Sequence, residues 1–304
     1  MKKDGNINRI LSISDAHRMF GLPAPQHPLI SVMNFTGDNV FDADKCPDDV
    51  LSFYKMTFIT KLGGRLKYGQ GYYDYDAGSM LFMAPNQLVG NANYGESSSG
   101  YILLIHPDFF LGYPLAKKIK QYGYFSYSTS ESLHLSDNEK DIILSVYKII
   151  EQELSSRIDE FSQDVAIAQI ELLLSYANRF YKRQFIIRKA VNNDILQQVE
   201  TLLDDYFNNG QLLTQGIPTV QFLSEQLHIS PGYLSDMLRS LIGQNAQQYI
   251  RYKLIEKAKE KLSTTSLNVS EIAYELGFEH SQSFSKLFKS KTNLSPLEFR
   301  AGFN

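Results

Sequence analysis

The chain has 304 residues, 43% of them hydrophobic, and a net charge of −3; the length suggests about two domains, and the charge excludes a protein that coats nucleic acid by bulk electrostatics. Its one cysteine, Cys46, excludes an internal disulfide and a zinc finger and suits a reducing cytoplasm. No apolar run approaches the ~20 residues of a membrane span, and the opening MKKDGNINRI lacks the apolar core of a secretory signal.

Residues 1–28 read as an arm. A short helix is expected near Ser14–Phe20, after which Pro23, Pro25 and Pro28 prevent regular structure. From Leu29 the pattern is β. The runs LISVMNF, SFYKMTFIT, GRLKYGQGYYDYD, SMLFMAP and YILLIHP are rich in β-branched and aromatic residues and are separated by Gly, Pro, Asp and Asn. They predict a small antiparallel sandwich or barrel. Within it Tyr68, Tyr72, Tyr73 and Tyr75, with Arg65 nearby, form a dense set of aromatic hydroxyls able to stack on and orient a sugar or aromatic metabolite. Aromatic residues are also good strand formers, and at most half of these rings face inward on alternating strands.

Beyond Phe110 the periodicity becomes helical. The segment 137–154 carries a stripe of Ile142, Val146, Ile149 and Ile150. In 163–181 the apolar face, with Val165, Ile167, Leu172, Leu173, Tyr176 and Phe180, is wider than one sheet contact requires. Either both helices cover the sheet or part of that face is a dimer seam. The charged stretch 186–193 is expected to be a linker.

Residues 194–304 read as almost all helix. Asn268 is an N-cap with Glu271 at capping-box spacing, Gly277 supplies a sharp turn, and Phe284, Leu287 and Phe288 form the inward stripe of a second helix. Its outer face carries Ser281, Gln282, Ser283, Lys286 and Lys289. That is a helix-turn-helix pattern, whose second helix can enter a DNA major groove. The region contains the pattern twice: Val220, Leu223, Ser224, Leu227 and Ile229 match Val269, Ile272, Ala273, Leu276 and Phe278. YLSDMLRSLIG then matches SFSKLFKSKTN, and a long helix near 246–262 joins the copies.

From SEIAYELGF, FSKLFK and SPLEFR, the weaker first unit and YIRYKLIEKAKEKL, the last third of the chain resembles the DNA-binding domain of the AraC family of bacterial transcription regulators. The β-rich part, through AGSMLFMAPNQL, resembles that family's cupin-like sensor domain. Many members carry Gly at the position of Asn293 and Arg at that of Leu254; Asn tolerates the left-handed backbone of a helix end. The resemblance implies an α+β chain, with an N-terminal antiparallel cupin-like β-barrel, flanking helices and a C-terminal all-α double helix-turn-helix domain. The boundaries expected are 1–134 for the arm and ligand-sensing barrel, 135–185 for packing and dimerising helices, 186–193 for the linker and 194–304 for the DNA-binding domain.

The expected DNA-reading residues are Ser281, Gln282, Ser283 and Lys286 in the second unit, and Tyr233, Ser235, Asp236 and Arg239 in the first. Gln can pair bidentately with adenine and Lys can donate to guanine. Asp236 can accept from a cytosine amino group or pair with Arg239 across one turn. Arg251, Lys253 and Lys289 are phosphate candidates. From Ser230 onward ten cations face seven anions, so the basic surface lies in the final segment.

The expected function is a cytoplasmic, homodimeric, promoter-binding regulator controlled by a small-molecule effector, with RNA polymerase as partner if it activates, and with no membrane, metal, cofactor or catalytic residue. Two alternatives stand beside it. One is a ligand-independent dimeric regulator with a filled barrel. The other is a cupin-type enzyme fused to a DNA-binding domain, although the β region offers only His27 and His106, without the H-x-H spacing of a metal site.

Overall fold

The computed structural model describes residues 9–19, 21–36, 49–61, 66–68, 71–73, 78–89, 98–157 and 159–303. The chain divides into two compact units, Met1–Gln184 and Phe185–Asn304. No helix among the described residues is long and apolar enough to cross a membrane.

In the first unit the arm contributes strand β1 (Arg9–Ile10) and helix α1 (Ile13–Met19). Strands follow at β2 (Ile30–Thr36), β3 (Asp49–Leu51), β4 (Tyr54–Lys61), β5 (Leu66–Tyr68) and β6 (Gly71–Tyr73). The set continues with β7 (Ser79–Met83), β8 (Leu88–Val89), β9 (Ser99–Ile105) and β10 (Leu133–His134). A five-stranded antiparallel sheet has the order β10-β7-β4-β9-β2. A three-stranded sheet, β1-β3-β8, and the β5-β6 hairpin complete the set. The expected barrel is thus represented, among the described residues, by open sheets, with β2 and β10 at the edges of the larger one.

Each side of the larger sheet has its own cover. Met33, Phe35, Ile102 and Leu104 join Ile13, Ala16 and Phe53 in one apolar cluster, so α1 is held by burial rather than by its short length. Helices α2 (Leu115–Lys118), α3 (Asp137–Ser155) and α4 (Ser162–Ile187) also contribute to this unit's core. The Tyr147 hydroxyl of α3 donates to the Met56 carbonyl at 3.1 Å, and its ring lies 6.0 Å from that of Phe58. That anchor sets the rotation of α3. The buried stripe is Ile143, Val146, Tyr147 and Ile150, at i, i+3, i+4 and i+7, while the expected member Ile149 is 45% exposed. On α4, Ile170, Leu173, Leu174 and Ala177 are buried, whereas Val165 and Leu172 are 38% and 42% exposed.

Helix α4 runs past the expected end at 181 to Ile187, and α5 (Lys189–Asn208) begins after Arg188. No Gly or Pro occurs between Ser162 and Asn209, so nothing in that stretch breaks the helix cheaply. The 186–193 segment is therefore helical except at Arg188.

The second unit continues with α6 (Gln211–Gln215), α7 (Val220–Leu227), α8 (Pro231–Ile242) and α9 (Ala246–Thr264). It ends with α10 (Val269–Glu275), α11 (Ser281–Thr292) and α12 (Pro296–Ala301). Helices α7 and α8 pack on α5 and α9, and α10 and α11 pack on α9 and, for α11, on α12. The long helix α9 is common to both groups, with Tyr249, Ile250, Leu254, Ile255, Ala258 and Leu262 buried along it.

Candidate nucleic-acid interface

The internal repeat has a physical counterpart at its core positions and at its turns. Leu223 and Ile272 are fully buried, as are Leu234 and Phe284, and Leu238 and Phe288. The turns end their first helices in the left-handed region, at His228 (φ 55°) and Gly277 (φ 80°). The second helices stop the same way, at Gly243 (φ 73°) and Asn293 (φ 62°). Asn293 therefore takes the role that glycine has in the first copy, as its side chain permits. The helices that follow, α9 and α12, both open with a capping box, from Asn245 with Gln248 and from Ser295 with Glu298.

The two copies are also braced. A Cβ placed on Gly277 would lie 2.9 Å from the Leu212 carbonyl oxygen and 3.0 Å from the Gly216 carbonyl carbon. The turn of the second copy therefore packs directly on the backbone at the end of α6. The Tyr206 hydroxyl of α5 donates to the Gly216 carbonyl at 3.0 Å, tying the same point to the first copy. Near the middle of α5, Glu200 accepts from the Tyr249 hydroxyl at 2.6 Å and from Lys253 at 3.3 Å. These partners, the Tyr249 hydrogen bond first, hold the Glu200 carboxyl below its ordinary range.

On α11 the expected outer face is solvent-facing: Gln282, Ser283, Lys286 and Lys289 are exposed, and Ser281 is half-buried at the first turn. On α8, Arg239 is exposed and ion-paired with the half-buried Asp236, and Ser235 is half-buried. Tyr233 was expected on that outer face but is only 6% exposed, with its ring edge-on to Phe185 at 5.1 Å. The apolar stripe of α8 includes Tyr233, Leu234, Met237 and Leu238, so it is one residue wider than that of α11, where Ser283 occupies the matching position.

Counting charges overstates the available cations. Lys257, Lys259 and Lys261 are paired with Glu260, Glu256 and Glu275, Lys253 is drawn to Glu200, and Arg300 donates to the Leu262 carbonyl. Arg251, Lys286 and Lys291 form no ion pair among the described residues. From Ser230 onward, the positive charge free to meet an anion is therefore concentrated on α11 and at Arg251 of α9.

Arg251 and Lys286 meet at one place. They line an open cleft of about 630 Å³ together with Thr219, Gln247, Ser283 and Ser290. Gln247 was not singled out from the sequence, although it lies four residues before Arg251 and so on the same face of α9. In the first unit, Arg65 and Tyr75 lie outside the described residues. Tyr68 and Tyr72–Tyr73 lie on β5 and β6, of which the backbone pairing alone is described, with Lys67 opposite Tyr72. A different pocket there, about 280 Å³, is lined by the arm at Pro23 and Gln26, by Ser31 and Asn34 of β2, and by Glu151 of α3. His17 holds the arm beside it, with one ring nitrogen against the Pro23 carbonyl and the other 2.9 Å from the Ser31 hydroxyl.

A family model described as "Helix-turn-helix domain" matches residues 223–302. This segment is a helix-turn-helix domain. The helix-turn-helix domain so matched includes α8 to α12 and most of α7. The HTH-type transcriptional activator RhaS of Salmonella paratyphi B is 30% identical over 138 residues, 45% of this chain and 47% of that protein. The chain thus spans about half the length of the curated relatives it matches. Among solved structures, the C-terminal domain of the two-component response regulator yesN from Fusobacterium nucleatum is 35% identical, with a TM-score of 0.29, over 34% of this chain and 98% of that one. ToxT from Vibrio cholerae aligns over 92% of this chain and 100% of that one, at 15% identity and a TM-score of 0.32. At these scores neither superposition bears on function.

Proposed function

We propose that the chain is a sequence-specific, promoter-binding transcriptional regulator whose two helix-turn-helix copies read successive major-groove segments through α8 and α11. The observation that carries this is the outer face of α11. Gln282, Ser283 and Lys286 are exposed over a fully buried Phe284–Phe288 stripe, and the same burial pattern recurs at Leu234 and Leu238. A polar helix face with unpaired cations and no apolar partner suits base edges and phosphates. Gln282 and Lys286 would contact bases, with Ser281 and Ser283 beside them. Arg239, Arg251 and Lys289 would contact phosphates, and Ser235 and Asp236 would tune the first half-site. The name of the curated relatives, transcriptional activators, supports activation as the direction of control and RNA polymerase as a partner.

In the same proposal an effector binds the N-terminal unit and shifts the population of dimers able to hold both half-sites. The half-exposed Val165 and Leu172 of α4 support a dimer seam. The alternative of a ligand-independent dimer draws support from the apolar cluster around Met33, Phe35, Ile102 and Leu104, which is filled by side chains. Selection of bound fragments from genomic DNA, followed by band-shift titration at rising salt, tests the proposal. Enrichment of a shared motif bound with an affinity that falls steeply with salt is expected. Recovery of no motif and no retarded complex at low salt overturns it.

A further inference from the structure

The cleft between the two helix-turn-helix copies has a chemistry that DNA alone does not use. Its apolar surface is supplied by the half-buried Val220, Phe278 and Leu287, backed by the almost fully buried Ile250 and Leu254 of α9. Its rim carries Arg251 and Lys286, neither ion-paired among the described residues, and hydroxyls from Ser283 and Ser290. No carboxylate is among its lining residues. At about 630 Å³ it falls within the ~300–1,000 Å³ of small-molecule sites.

We propose that this cleft binds a small amphipathic carboxylate, with the apolar body against Val220, Phe278 and Leu287 and the carboxylate between Arg251 and Lys286, and that such a ligand competes with DNA. The complement of partly exposed apolar side chains beside two cations is a molecule with one anionic head and an apolar body. A sugar–phosphate strand satisfies the cations but leaves Val220, Phe278 and Leu287 without an apolar partner. The Arg251 guanidinium can take a carboxylate through two parallel hydrogen bonds, a geometry Lys286 reinforces as a point charge. Because Ser283 and Lys286 belong both to the cleft and to the face assigned to DNA, the two ligands exclude one another and their affinities are linked. The competition rests on the DNA-binding proposal above; occupancy of the cleft does not.

The test uses the full-length protein and 4-phenylbutyrate as probe, with 4-phenylbutanol as its uncharged counterpart and ionic strength matched throughout. Calorimetry reads probe binding directly, and fluorescence anisotropy reads binding to a DNA fragment the protein selects. The probe is expected to bind more tightly than the alcohol. At about ten times its own dissociation constant it should raise the apparent Kd for DNA about tenfold by mass action. Arg251→Gln should weaken the probe at least several-fold, and Val220→Trp, which fills the cleft from α7, should abolish probe binding while far-UV circular dichroism confirms the fold. Should Val220→Trp fail to fold, Arg251→Gln and the alcohol comparison decide the matter. Probe binding that survives both substitutions, equal binding of alcohol and acid, or an unchanged DNA affinity at saturating probe overturns the inference. Probe binding that is lost in both variants, in a protein that binds no DNA, would retain the site and defeat the DNA-binding proposal instead.

Discussion

Replacing Gly277 by alanine perturbs the point where the second helix-turn-helix copy rests on α6. Two costs are combined there. The backbone is left-handed, at φ 80°, a conformation that costs an L-residue about 1–2 kcal/mol. The new Cβ also lies 2.9 Å from the Leu212 carbonyl oxygen and 3.1 Å from the Gly216 Cα, both backbone atoms that cannot rotate aside. Gly243 isolates the first cost, because it has φ 73° and a Cβ added to it would meet nothing within 4 Å. Gly243→Ala should therefore destabilise by about 1 kcal/mol and Gly277→Ala by about 2–4 kcal/mol. Urea unfolding followed by far-UV circular dichroism, at fixed protein concentration, measures both differences. Gly277→Ala should also weaken DNA binding at sites with two half-sites more than at isolated half-sites, because the brace sets the spacing of α8 and α11. Equal destabilisation by the two substitutions would refute the claim that this contact braces the domain.

Three further outcomes follow from the same interface. Lys286→Ala should lower the slope of log K against log salt by about one unit, read from anisotropy titrations at several salt concentrations, and an unchanged slope would remove Lys286 from the phosphate or base contacts. Gln282→Ala should cost about 1–3 kcal/mol on the selected site and little on unrelated DNA, so its signature is a loss of specificity rather than of overall affinity. Tyr249→Phe removes the 2.6 Å hydrogen bond to Glu200 and should cost about 1 kcal/mol at neutral pH. The Glu200 carboxyl is held below its ordinary value of 4.5, first by that hydrogen bond, so its stabilisation is present above that value and is lost as pH falls through the folded-state value. The deficit of Tyr249→Phe should accordingly shrink in urea melts as pH falls below about 4.5.

The helical half was legible because its signals are local. Ser230 before Pro231, Asn268 with Glu271, and Gly277 each fix a helix end within a few residues, and the i, i+3, i+4 spacing of Phe284, Leu287 and Phe288 sets the buried face. The left-handed Asn293 was legible for the same reason. The short helix α6 was not, since Leu212 is its only buried residue and its role depends on Gly277, far along the chain. Rotation of α3 depends on the Tyr147–Met56 hydrogen bond across 91 positions, which no window of sequence contains. Strands β1, β3, β8 and β10 are two or three residues long and show no alternation, so their pairing is dictated by partners distant in sequence. In the interface, outward polar residues on α11 could be read from periodicity. Whether a cation is free could not: Lys257, Lys259 and Lys261 look available in the sequence and are neutralised in the fold.

Hydroxyl-radical and methylation-interference footprinting of one protein bound to a selected fragment measures the central geometry. Two contacted major-groove segments per chain are predicted, about one helical turn (~34 Å) apart, with Gln282→Ala and Lys286→Ala erasing contacts in one segment and Arg239→Ala in the other. A single contacted segment per chain, or one segment lost to all three substitutions, would contradict it.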